Sequence, residues 1–104
     1  MTIYIGSVRI IARKTLKDFW ARHEDAEQPL KAWYREAKLA DWATPAQLKK
    51  QFGNASLVGS DRVAFSIAGN KYQLVAAINY AYRVIYIRFV GTHRQYDRID
   101  ASEV

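Results

Sequence analysis

The stretch that decides the fold runs from residue 61 to residue 97 and reads DRVAFSIAGNKYQLVAAINYAYRVIYIRFVGTHRQYD. It contains three runs with the composition of strands, over residues 61–67, 71–79 and 84–90, and the outer two alternate clearly. Alternation with a period of two is typical of β-strands, because successive side chains point to opposite faces of a sheet. Gly69-Asn70, between the first two runs, is a hairpin turn signal. The stretch therefore predicts an antiparallel meander of three strands.

The two faces of this meander are expected to differ. Alternate apolar positions define a face that helices must cover. These positions are Val63, Phe65 and Ile67 in the first strand and Ile85, Ile87 and Phe89 in the third. The middle strand is apolar on both faces, which predicts a central place in the sheet. The opposite face is expected to be open and to present Arg62, Ser66, Gln73, Tyr86 and Arg88.

The first sixty residues favour helices. Residues 8–11 form a short apolar run that predicts a first strand. Thr15 is expected to cap the next helix, with Asp18 three residues on. Acidic residues at 24–27 are expected to open a second helix. Among the tryptophans, Trp42 is expected to be the most exposed.

Two further helix starts are clearer. Thr44 followed by Pro45 and Gln47 combines an N-cap with proline in the first helical position. Thr92, with Gln95 three residues later, is expected to cap a last short helix. The predicted fold class is α+β: an N-terminal strand, two or three helices on one face of an antiparallel sheet that ends in the meander, and a short C-terminal helix.

Composition limits the class of function. The chain has 104 residues and no cysteine, which excludes disulfides and thiolate catalysis. We expect one domain over residues 1–104, with residues 1–7 as a possible N-terminal extension. No apolar run and no leader pattern indicates a membrane partner or export, so a cytoplasmic protein is expected. The net charge of +6 favours a polyanionic partner, although it also serves solubility.

The residues with most chemical potential follow the third strand. Arg88 points away from its apolar neighbours, His93 begins the last helix, and Tyr96 lies one turn further on the same side. Arg62 and Lys71 are expected to reach the same patch, with few carboxylates nearby. We interpret these five residues as candidate catalytic residues, and Asp97 as structural support that pairs with an arginine or holds the helix.

This combination suits cleavage of an RNA phosphodiester. The 2′-hydroxyl must lose a proton, the 5′-oxygen must gain one, and charge on the phosphate needs cations. Histidine moves protons near neutrality, arginine matches phosphate oxygens, and tyrosine can stack on a base. This chemistry calls for no metal and no cofactor. Which of Lys71, His93 and Tyr96 acts as base and which as acid stays open.

A basic stripe on the second helix has two interpretations. It comprises Lys31, Arg35 and Lys38. Solvated helix faces commonly have this composition, and such a stripe can also contact RNA phosphates without sequence preference.

The chain resembles the HigB toxins of bacterial type II toxin–antitoxin modules over about residues 8 to 100. The resemblance lies in DRVAF at 61–65, GNKY at 69–72, IYIRFVGTH at 85–93 and YD at 96–97, with FW at 19–20 and WYREA at 33–37. It implies a RelE-like fold, an mRNA-cleaving toxin that acts on ribosome-bound message, and a HigA-like helix-turn-helix antitoxin as partner.

The resemblance also assigns positions. The shared polar positions of the family fall here on Arg62, Asn70, Lys71, Arg88, Thr92, His93, Tyr96 and Asp97. It adds Asn70 and Thr92 to the expected RNA-binding residues, beside Gln73 and Tyr86. Two departures matter: Gln73 stands where relatives are often basic, and residues 1–7 precede the usual beginning of the family.

Two alternatives remain open from the sequence. RelE-like scaffolds include ParE-like gyrase poisons, which bind protein and need no acid–base residue. A plain RNA-binding module on this fold would bind RNA in a salt-sensitive way without cleaving it.

Overall fold

A computed structural model describes residues 8–104; the proposed extension at residues 1–7 lies outside the described residues. The strands are β1 (Arg9–Ile11), β2 (Ser56–Leu57), β3 (Arg62–Ile67), β4 (Tyr72–Asn79) and β5 (Val84–Thr92). The helices are α1 (Arg13–Arg22), α2 (Glu27–Lys38), α3 (Pro45–Gln51) and α4 (His93–Tyr96), with a 3₁₀ turn at Glu24–Ala26. None of the helices in this described part is long and apolar enough to cross a membrane.

The five strands form one sheet in the order β1-β5-β4-β3-β2. β3, β4 and β5 are antiparallel neighbours, which confirms the predicted meander and the central place of β4. β1 lies parallel to β5. The β3–β4 turn bends through positive φ angles at Ala68, Gly69 and Asn70, conformations that glycine and asparagine adopt most readily.

One face of the sheet is covered by α1, α2 and α3. Leu16, Leu30 and Leu48, one from each helix, are fully buried. They belong to the same core as Phe65 and Leu74 of the sheet. Burial of each such leucine contributes about 1.5–3 kcal/mol relative to exposure. The α+β class with helices on one face and a short C-terminal helix is thus confirmed.

The predicted N-cap is confirmed for α3 and is wrong for α1. The Thr44 hydroxyl accepts a hydrogen bond from the Gln47 amide, as expected of an N-cap. α1 begins earlier than expected, with Ala12 as N-cap, so Thr15 is not a cap. The helix starts as soon as β1 ends at residue 11, before the side-chain signal. The expectation for Trp42 is also wrong: it is 4% exposed, and its indole N–H donates to Gln51.

β5 contains a bulge at Arg88. Val75 of β4 lies opposite Phe89, whereas the next residue, Ala76, lies opposite Ile87. Arg88 is therefore an extra residue without a partner in the ladder.

The bulge reverses the faces of the residues that follow it. Val90 packs against the main core, while the Phe89 ring lies 6.4 Å from the Tyr96 ring of α4. The expectation that Phe89 shares a face with Ile85 and Ile87 is wrong, because an inserted residue interrupts the alternation.

Residues 93–104 lie on the sheet face opposite the helices. α4 packs on β4 and β5. Further along, Arg62 Nε donates to the carbonyl oxygen of Val104 at 2.8 Å. Val75, on this face of β4, is fully buried. The expectation of an open face is therefore wrong for β4, because the C-terminal segment covers it.

Asp25, in the 3₁₀ turn, ties the helical layer to the start of β4. Its carboxylate accepts hydrogen bonds from the Lys71 ammonium and from the Tyr72 hydroxyl. The Lys71 hydrogen bond, followed by that of Tyr72, holds the pKa of Asp25 below its usual value. The same carboxylate raises the pKa of Lys71 and of Tyr72.

We expect Gly91→Ala to destabilise the fold by ~1–3 kcal/mol, the usual cost of overpacking. A Cβ at Gly91 would lie 2.5 Å from Phe89 Cζ and 2.7 Å from Gln95 Oε1, so both side chains would have to move. Urea denaturation measures the effect. Gly53→Ala is the control, since a Cβ there meets nothing within 4 Å. Equal stability of the two variants would contradict this packing.

We expect Asp25→Asn to lower the free energy of unfolding at pH 7 and to lose this effect in acid. A carboxyl group whose folded pKa lies below its unfolded value stabilises the fold above the unfolded value, here 3.8. That contribution disappears as the pH falls through the folded pKa, so wild type and variant converge below pH 4. Denaturation at pH 7, 5 and 3 measures it.

The matched control for this prediction is Asp18→Asn, which removes an exposed carboxylate paired with Lys14 at 2.8 Å on α1. Exposed pairs of this kind contribute little. A difference between wild type and Asp25→Asn that stays constant from pH 7 to pH 3 would show that the carboxylate charge does not stabilise this contact.

Candidate functional site

A capping box sets the start of α4. The Thr92 hydroxyl accepts from the Gln95 amide at 3.1 Å, and Gln95 Oε1 accepts from the Thr92 amide at 2.9 Å. These reciprocal bonds fix the backbone at the point where β5 becomes α4. The Thr92 side chain, expected to bind RNA, is thus occupied in holding the helix that presents His93.

His93 is exposed at the first position of α4. Its side chain is 48% exposed, and Nδ1 lies 3.3 Å from Asp97 Oδ2 one turn along the helix. The Tyr96 ring is centred 6.1 Å from the imidazole. Asp97 therefore orients the ring through Nδ1 and leaves Nε2 for another partner. The expected grouping of His93, Tyr96 and Asp97 is present.

Arg88 and Tyr86 form a second group on β5. The Arg88 guanidinium carbon lies 5.5 Å from the centre of the Tyr86 ring, within cation–π range. Among the described residues, Arg88 has no ion pair. Both side chains are exposed, so this cation and this aromatic face are accessible to an anionic ligand.

An open cleft of about 370 Å³ lies beside this second group. Its lining includes Asp61, Ala77, Asn79 and Tyr80 together with Tyr86 and Arg88. Burial, and then the negative charge of Asp61, raises the pKa of Tyr80, so its hydroxyl keeps its proton. Sequence reasoning missed Asp61, Asn79 and Tyr80, which come together beside β5 only because the start of β3 pairs with the end of β4.

Arg62 and Lys71 are engaged elsewhere. Arg62 Nη1 contacts Asp61 at 2.7 Å, and the side chain is only 17% exposed. The Lys71 ammonium binds Asp25, on the helical side of the sheet. The expectation of few carboxylates near the candidate cations is wrong, because Arg62, Lys71 and His93 each contact an aspartate.

Asn70 and Gln73 form a local network at the hairpin. Asn70 Oδ1 accepts from Gln73 Nε2 and, at 3.2 Å, from the Ser66 hydroxyl. Gln73 is 5% exposed, so the expectation that it is presented on an open face is wrong. Its amide instead satisfies the turn that joins β3 and β4.

The basic stripe of α2 lies in the helical layer, whereas α4 packs on the opposite face of the sheet. Lys31 binds Glu27 at 2.5 Å and its ammonium lies 5.4 Å from the Trp20 ring. Arg35 and Lys38 share this helix. The three residues are therefore not part of the surface that presents His93 and Arg88.

The sheet register separates the candidates along the strands. Arg62 lies level with Ala77, while Tyr72 lies level with Thr92, just before His93. Five residues of β4 separate these levels, about 17 Å. The structure thus brings Arg88 together with Tyr86, and His93 together with Tyr96, and leaves Arg62 at the far level. Lys71 lies near the level of His93, but its ammonium is bound to Asp25 on the helical side of the sheet.

Comparison with known proteins assigns the family. The model of the HigB toxin family, described as a RelE-like toxic component of a toxin–antitoxin system, matches residues 26–99. The mRNA interferase HigB of Escherichia coli O6:H1 is 20% identical over 94 residues, which cover 88% of this chain and 91% of that protein. The match spans most of the chain, from the 3₁₀ turn through the meander to the residues after α4, and confirms the resemblance seen in the sequence. The chain belongs to the HigB toxin family, the RelE-like toxic components of toxin–antitoxin systems.

Proposed function

We propose that this toxin is an endoribonuclease that cleaves mRNA through attack of a ribose 2′-hydroxyl on the adjacent phosphate, without a metal. The observation that carries the proposal is the exposed His93 imidazole, oriented by Asp97 beside Tyr96. The name of the similar E. coli protein, an mRNA interferase, supports the same reaction.

The proposed reaction needs two proton transfers. The 2′-oxygen loses its proton and forms a bond to phosphorus, which gives a 2′,3′-cyclic phosphate. The bond from phosphorus to the 5′-oxygen breaks, and that oxygen takes up a proton. A histidine can accept or donate a proton near neutral pH, so His93 is assigned to one transfer. Tyr96, on the same helix, offers its hydroxyl for the other proton transfer.

Arg88 supplies the positive charge in this scheme. A guanidinium binds phosphate oxygens through two parallel hydrogen bonds and stabilises the extra negative charge of the pentacovalent phosphorus. Arg88 lacks an ion-pair partner in the described part of the chain. Its position on the bulge of β5 lets a strand of RNA extend from α4 toward the cleft.

In this proposal, Arg62 and Lys71 stabilise the structure around the site and do not act on the substrate. Arg62 holds Asp61 and the carbonyl of Val104, and Lys71 holds Asp25. Asn70 and Gln73 support the hairpin, and Thr92 supports α4. Removal of these contacts would act through the geometry of the site.

The proposal extends to the setting of the reaction. The substrate is mRNA on the ribosome, in the cytoplasm, where the message is translated. The partner that restrains the toxin is a HigA-like antitoxin with a helix-turn-helix domain, as membership of a toxin–antitoxin family favours.

We expect His93→Ala to lower mRNA cleavage by about 10²–10⁴-fold, the usual contribution of one general acid–base group. We expect Arg88→Ala to lower it by about 10²–10³-fold, as for loss of one preorganised charge-stabilising donor. The measurement is mapping of mRNA 5′ ends after induced expression. The matched control is Arg22→Ala, which removes an exposed arginine of α1 in the helical layer, on the opposite face of the sheet, and should leave cleavage near the wild-type level.

Three outcomes would contradict the proposal. Undiminished cleavage and growth arrest in the double variant Arg88→Ala, His93→Ala would show that these two residues do not carry the reaction. Intact transcripts with a DNA-damage response would favour a ParE-like gyrase poison. Salt-sensitive RNA binding by the purified protein, without cleavage on ribosomes, would favour an RNA-binding module.

A further inference from the structure

The cleft beside Arg88 lies away from the groups assigned to proton transfer. Its floor at Ala77 is level with Tyr86 of β5, about 17 Å along the sheet from the level of Thr92. Its volume of about 370 Å³ falls in the range of small-ligand sites. A strand of RNA cut at α4 would therefore place a different nucleotide here, a few positions from the scissile phosphate.

The wall on β5 suits stacking. Tyr86 is an exposed aromatic ring on a rigid strand, and Arg88 lies over it. An aromatic face on a strand is a common platform for an unpaired base. Only β5 among the strands offers this pair within residues 8–104.

The opposite wall offers fixed polar groups. The Asp61 carboxylate accepts from Arg62 at 2.7 Å, and its side chain stays 53% exposed. Asn79 Oδ1 accepts from the Tyr82 amide at 3.0 Å, which orients the Asn79 amide nitrogen as a donor. A carboxylate has about four acceptor sites, so Asp61 keeps capacity for a ligand after it has bound Arg62.

We propose that this cleft is a nucleobase subsite, in which the base stacks on Tyr86 and presents an exocyclic amino group to Asp61. The proposal rests on the proposed function, since it takes RNA as the ligand. A carboxylate accepts hydrogen bonds only, and it pairs well with an amino group such as N4 of cytosine. Uracil places carbonyl oxygens on both sides of its ring N–H, and a carboxylate repels them. The subsite therefore favours cytosine over uracil.

The test compares tetracytidylate with tetrauridylate RNA. The two bases stack alike, but cytosine carries an amino group where uracil carries a carbonyl oxygen. Binding is measured by NMR titration of the full chain with His93→Ala, which is expected to slow cutting by about 10²–10⁴-fold. We expect tetracytidylate to bind about fivefold to tenfold more tightly, as for one base-edge hydrogen-bonding contact. The amide signals of Ala77 and Asn79 should shift.

Variants made in the His93→Ala protein show which residues distinguish tetracytidylate from tetrauridylate. Asp61→Asn, which can also donate to a carbonyl, should bring the two affinities within twofold. Asp41→Asn is the matched control, an exposed aspartate paired with Arg83 at 2.7 Å, and should keep the full ratio. Tyr86→Ala should weaken both RNAs by about fivefold or more through lost stacking, and Tyr86→Phe should restore binding.

Equal binding of the two RNAs in the His93→Ala parent would overturn the subsite. So would an unchanged ratio in Asp61→Asn, or shifts confined to amides outside the cleft. These readouts do not depend on cleavage. Loss of the proposed ribonuclease reaction with base discrimination intact would reject the reaction and leave the subsite in place.

Discussion

The central constraint on this molecule is the burial of β4 on both faces. Leu74 and Val75, which point to opposite sides of the strand, are both fully buried. The helical layer covers one side, and residues 93–104 cover the other. Because β4 offers no exposed face, the exposed candidate groups that the structure describes on this side of the sheet lie on β5, on α4 and in the cleft where β4 ends and β5 begins. Arg88 and His93 lie in these places.

The backbone of β5 then decides where the exposed groups stand. The bulge at Arg88 turns Phe89 toward α4, and Gly91 lacks the Cβ that would collide with that ring and with Gln95. Gln95 in turn closes the capping box with Thr92. His93 is therefore positioned by a chain of contacts that begins with one extra residue in a strand. A histidine on so short a helix needs such support to keep a fixed position, because a single turn is not stable in isolation.

Local signals in the sequence were sufficient for most of the fold. Alternation, the Gly69-Asn70 turn and the Thr44 and Thr92 caps act over a few residues, and each is confirmed. The bulge has no comparable local signal, so the face of Phe89 could not be predicted. The partner of Lys71 is 46 residues away in sequence, a pairing that only the packed helical layer creates. The cover over the second face did have a signal, because a strand apolar on both sides requires burial on both sides.

The distribution of charge links the fold to the proposed substrate. Five of the sixteen lysines and arginines are paired with carboxylates in the described part of the chain: Lys14, Lys31, Lys71, Arg62 and Arg83. Near α4, the cations without such a partner among residues 8–104 are Arg88, Arg94 and Arg98. Each phosphate contact adds roughly one released counterion to the binding of RNA, so a small set of cations gives weak, salt-sensitive affinity for free RNA. A site with few phosphate contacts gains most from an mRNA that is already held in place. When another molecule positions the mRNA, the toxin does not have to supply the binding energy that orients it. The proposed site is therefore better suited to an mRNA that is already held in place than to RNA free in solution.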